Sequence, residues 1–176
     1  MKPRRPSRRS SVAQIDCFTM MDELLASPDD PAAPDVHAGR IGAARLALVQ
    51  MGAPETASIT AWSLCCMVGN VLETMLQHGL VADPDGLLQD GFDALKRATQ
   101  ATRAPGDPVV LPPADLPVVA GMIEDWAAIM LEAPARAVIR AFRATDRRIR
   151  DIEAGRLQPH DYTVTTGAAR ALGARL

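Results

Sequence analysis

Arg136, Arg140, Arg143, Arg147 and Arg150 recur at steps of 4, 3, 4 and 3. On a helix that spacing places all five guanidinium groups on one ridge, about 20 Å long at a rise of ~1.5 Å per residue. Arginine is permanently charged and offers a planar fork of donors, so a row of them can bind phosphates or carboxylates. Asp146 stands where Arg143 and Arg150 can reach it, and Asp151 lies four residues beyond Arg147. These acids are expected to neutralise the distal half of the ridge. Arg136 and Arg140 are expected to remain free, with Arg148 off to one side.

Two other groups of residues could carry function. Asn70, Glu73, Gln77 and His78 cluster late in an apolar helical stretch and could line a small polar pocket. Glu124 and Asp125 interrupt an otherwise apolar segment around Trp126, and form a possible acidic counter-surface for arginines of a neighbouring chain. No catalytic set is evident. His37, His78 and His160 are far apart, no metal-ligand spacing occurs, and there is no phosphate-binding glycine loop or nucleophile elbow. No metal or cofactor is therefore expected. Aromatic residues are only 3% of the chain, so unpaired bases would have no stacking platform. Nucleic acid remains a possible partner only through backbone phosphates.

The elements that position these residues are read as helices. The chain has 176 residues, the size of one domain, and strand-type runs of β-branched and aromatic residues are nearly absent. With few aromatics the core must be built from Leu, Val, Ile, Ala and Met. The segment 135–153 has its arginine ridge opposite Val138, Ile139, Phe142, Ile149 and Ile152, an amphipathic pattern that ends at Gly155. Further helices are expected at 11–26, 35–51, 55–78, 83–103 and 115–132. The first is expected to start with a Ser11/Gln14 capping box and to bury Ile15, Phe18, Met21 and Leu25. Asp83-Pro84 reads as an N-cap followed by proline at the first helical position. Residues 55–78 are the most apolar and should form the central helix. Residues 104–114 are too rich in proline for helix, and Val109-Val110-Leu111 should pack on the bundle in extended form.

The expected fold class is all-α: a single bundle of about six helices over residues 11–155, with a disordered basic arm at 1–10 and a loosely structured tail at 156–176. A charge division runs through it. Residues 1–19 carry a net +4, residues 20–132 a net −11 and residues 133–176 a net +5. Basic ends around an acidic middle either bind something anionic or fold back on the middle.

Cys17, Cys65 and Cys66 form no metal motif, and adjacent Cys65 and Cys66 in a helix cannot make a strain-free disulfide, which suits a reducing cytoplasm. No apolar run is expected to reach the ~18 residues of a membrane span, because Glu73 breaks the best candidate. Ser7-Arg8-Arg9 resembles part of a twin-arginine signal, but Asp16, Asp22 and Glu23 occupy the place of its apolar region, so export is not expected. The reading is a cytoplasmic, non-enzymatic interaction protein of bacterial composition that works as a homo-oligomer or with another protein. A nucleic-acid-associated accessory protein and a small enzyme or ligand-binding protein are the alternatives.

Overall fold

The computed structural model describes residues 18–83, 85–102 and 107–158. Six helices follow one another: α1 Met20–Leu25, α2 Pro34–Met51, α3 Ile59–Gln77, α4 Leu87–Ala101, α5 Leu116–Glu132 and α6 Ala135–Glu153. They form a single helical bundle, without strands among the described residues. The basic arm, the Ser11/Gln14 cap, Cys17, Pro84, His160 and the tail from residue 159 lie outside the described residues.

α3 is the hub, packed against α2, α4, α5 and α6. Its sequence explains this position: Trp62, Cys65, Cys66, Val68, Val71 and Met75 face inward on several sides at once. By length and composition α3 could also cross a membrane, contrary to the expectation that Glu73 breaks the run, but 67% of it is buried inside the bundle. Trp62, Phe92 and Trp126 fill the interior among aliphatic side chains. Val109 and Leu111 are buried as expected, and the Leu111 amide donates to the Met51 carbonyl at 2.8 Å.

Several helix starts differ from the sequence expectation. α3 begins at Ile59, because the Ser58 hydroxyl accepts from the Ala61 amide and residues 53–57 close a turn instead. α4 begins at Leu87, after Gly86 in the left-handed region (φ 70°), while Asp83 Oδ1 accepts from the Leu88 amide at 3.2 Å. Asp83 thus still serves the helix, from five residues away. Asp115 makes no cap bond to α5 and pairs with Arg97 of α4 instead.

The largest difference concerns α1. Phe18 and Thr19 are not helical, so the expected helix over 11–26 is not continuous: α1 starts after Thr19, which forms a capping box with Asp22, and the backbone and hydroxyl hydrogen bonds from Thr19 hold the Asp22 carboxyl below its usual range. Met21 and Leu25, expected to be buried, are exposed, together with Met20 and Leu24. Of the expected stripe within the described residues, Phe18 alone packs inward, edge-on to Phe142 with centroids 5.5 Å apart. α1 is attached by its polar side.

α5 and α6 are separate helices. Ala133 is extended and Pro134 precedes the first turn of α6, where proline loses no helical hydrogen bond. The exposed amides of that first turn find carbonyls in the 26–33 linker: Ala135 donates to Asp30 at 2.9 Å and Arg136 to Ser27 at 3.0 Å. A bridge between Pro31 and Pro134 completes the contact. Residues 19–31 therefore run as a strap across the start of α6.

Candidate functional site

α6 spans Ala135–Glu153 as the sequence predicts, and Val138, Ile139, Ala141, Phe142 and Thr145 are buried opposite the ridge. The five arginines do share one face. Arg150 pairs with Asp146 as expected, but the other partners differ from the expectation.

The N-terminal half of the ridge is occupied by the strap. Arg136 donates through Nε and Nη2 to the Ala26 carbonyl at 3.1 and 2.8 Å, and through Nη2 to the Leu24 carbonyl at 3.3 Å. These carbonyls close the C-terminal end of α1, where the helix presents unsatisfied acceptors. Arg140 Nε donates to Glu23 Oε1 at 3.0 Å, and Arg143 Nη1 to Glu23 Oε2. The hydrogen bond from Arg140, followed by that from Arg143, holds the Glu23 carboxyl below its usual value. One carboxylate thus bridges two guanidinium groups, and a third guanidinium clasps the end of the same short helix.

The distal half is the more open. Arg150 pairs with Asp146, while Asp151 receives Arg156 rather than Arg147. Arg147 is exposed and makes no hydrogen bond or ion pair among the described residues. Arg143 does not pair with Asp146, because Glu23 has taken it. The sequence could not reveal this, since Glu23 lies 120 residues from Arg143.

The expected pocket near Asn70 and Glu73 is a filled polar layer between α3 and α6. Asn70 and Glu73 are each 1% exposed. Arg148 Nη2 donates to Glu73 Oε2, Arg148 Nη1 to Gln77 Oε1 at 3.3 Å, and Gln77 Nε2 to Glu73 Oε1 at 3.1 Å. Beside them the Thr145 and Thr74 hydroxyls lie 2.7 Å apart, and Thr74 donates to the Asn70 carbonyl at 3.0 Å. Arg148 is the member that sequence reasoning set aside; its place off the ridge, on the flank of the core face, was the signal. His78 is exposed at the end of α3 and takes no part. In this layer a buried carboxylate is paired with a guanidinium.

Glu124 and Asp125 are exposed on α5. Glu124 is engaged within the chain: Arg45 of α2 donates to it through Nε at 2.8 Å and also through Nη2. That hydrogen bond lowers the Glu124 carboxyl and raises the Arg45 guanidinium. Glu124 thus serves α2 of its own chain. No group of three or more His, Cys, Asp or Glu side chains with metal-site geometry occurs among the described residues.

What the α6 surface offers is limited chemistry. Its inner three arginines already hold a carboxylate and two carbonyls, so an external anion must compete with the strap. Comparison of the chain with protein-family models, with curated proteins and with solved structures gives no match.

Proposed function

We propose that the protein is a non-enzymatic helical interaction protein that associates through exposed apolar helix faces, with itself in the first instance. One observation carries this reading: large aliphatic side chains stand in solvent on α1 and α2, among them Leu25 at 79% and Val49 at 72% exposure, while the charged side chains of the inner ridge are satisfied within the chain. Exposed apolar groups of this kind, concentrated on particular helices, are characteristic of interaction surfaces. Cys65 and Cys66, buried and unpaired, suit a reducing cytoplasm.

The nucleic-acid reading has less support than the bare sequence suggested. Five free arginines would give a log–log salt slope of roughly −4 to −5 on duplex DNA, whereas Arg147 and Arg150 alone would give about −2. The test is sedimentation of the full chain over a concentration series at low and high salt, beside a DNA titration by fluorescence anisotropy. The expected result is a concentration-dependent rise in mass that survives high salt, with DNA binding weak or absent. A chain that stays monomeric throughout and binds duplex DNA with a steep salt slope would overturn the proposal.

A further inference from the structure

α2 carries apolar residues on two opposite faces, with Arg40 and Arg45 on the flanks between them. Its core side carries His37, Ile41, Ala44, Ala47 and Met51, all buried. On the opposite side Gly39, Gly42, Leu46 and Val49 are exposed, Leu46 at 57% and Val49 at 72%. A helix with large apolar side chains on its outer face as well as on its core face has a second surface to cover.

The glycines make the case stronger. Neither Gly39 nor Gly42 has a positive φ, and a Cβ built on either meets nothing within 4 Å. Nothing inside the bundle requires them, and glycine is an unfavourable residue in a helix interior. Their value lies outside the chain, where they let another helix come close.

The stripe is also complementary to itself. Positions 39, 42, 46 and 49 step by 3, 4 and 3, the spacing of a helix–helix seam. Its first half is small and its second half large. Turned end for end about a point level with Ala44, Gly39 faces Val49 of the other helix and Gly42 faces Leu46. Arg45 lies beside that point, drawn to one flank by Glu124. A two-fold axis there would place the Arg45–Glu124 pairs of both copies on the same flank, where opposite charges of the two chains can meet.

We propose that the outward face of α2 docks on the same face of a second copy of this chain, antiparallel, with the aliphatic half of each helix seated on the glycine half of the other. This rests on the self-association reading above and names its interface. The contact is isologous, as closed two-fold dimers require. One helix face about 15 Å long with a charged flank is at the small end of specific interfaces, so the dimer should be in equilibrium with monomer.

Sedimentation velocity of the full chain and two double variants tests it. Leu46→Glu with Val49→Glu should raise the dimer dissociation constant about 100-fold or more, with thermal unfolding of the monomer little changed because both side chains are exposed. Gly39→Leu with Gly42→Leu should abolish the dimer while raising the monomer's melting temperature, a combination that damage to the fold would not produce. In a Cys17→Ala background, Gly39→Cys chains mixed with Val49→Cys chains should cross-link to each other and not among themselves. Dimerisation unchanged in both double variants would overturn the α2 interface and leave self-association standing elsewhere on the molecule. Cross-links between two Gly39→Cys chains would overturn the antiparallel arrangement, and a wild type that is monomeric at every concentration would overturn both proposals.

Discussion

His37 enters the core at 1% exposure with neither ring nitrogen bonded to a partner among the described residues. Burial, and then the charge of nearby Arg40, push its pKa below the ordinary 6.5. The unfolded chain therefore takes up a proton before the folded chain does. Stability is fully present above about pH 6.5 and is lost as the pH falls below it. Urea titrations should show a midpoint that falls as the pH drops below about 6.5, and His37→Leu should flatten that slope; equal slopes in the two proteins would reject the assignment. The carboxyls of Glu23 and Glu124 are each held below the ordinary carboxylate value by arginine. Among single residues, the ridge positions were legible from spacing alone, as periodicity fixes the face a side chain occupies. Their partners were not. Glu23 and Arg148 acquire their roles from contacts between segments 117 and 75 residues apart, and no local pattern encodes those.

At the scale of the element, close packing explains two glycines that sequence reading passed over. A Cβ on Gly69 of α3 would meet the Phe92 ring at 2.8 Å, and one on Gly91 of α4 would meet Met122 Sδ at 2.6 Å. The ring is stiff and fully buried, whereas a methionine end can swing away. Gly69→Ala should thus cost about 1–3 kcal/mol in denaturant unfolding, despite alanine's better helix propensity, and Gly91→Ala less. A stabilised Gly69→Ala protein would show that α3 and α4 have room to separate. α6 was legible to the residue because its two faces differ so sharply and Gly155 stops it. α4 was less so. Asp83-Pro84 looks like a helix start, yet Gly86 turns the chain first and the aspartate reaches forward from outside. α1 was misread for a related reason: its apolar residues suggest burial, but the face that docks is the one carrying Glu23.

For the whole molecule, the charge division is resolved in part within the chain. Glu23 and Glu73 from the acidic middle bind Arg140, Arg143 and Arg148 of the basic end, so part of the division is met by the chain folding back on itself. The hub helix offers a probe of global opening. Burial pushes the Cys65 thiol up to about 12 and raises Cys66 as well. In a Cys17→Ala background, a thiol reagent should label neither residue except through unfolding, and the free energy from labelling should equal that from urea; faster labelling would reveal local opening of α3. The strap has a further consequence during synthesis. Its docking groove on α6 is made about 120 residues later, which at roughly 5–20 residues per second leaves α1 waiting some 6 to 24 s on the ribosome. An early helix is thus placed only once α6 exists, and over that interval its four exposed aliphatic residues are within reach of whatever else binds a nascent chain.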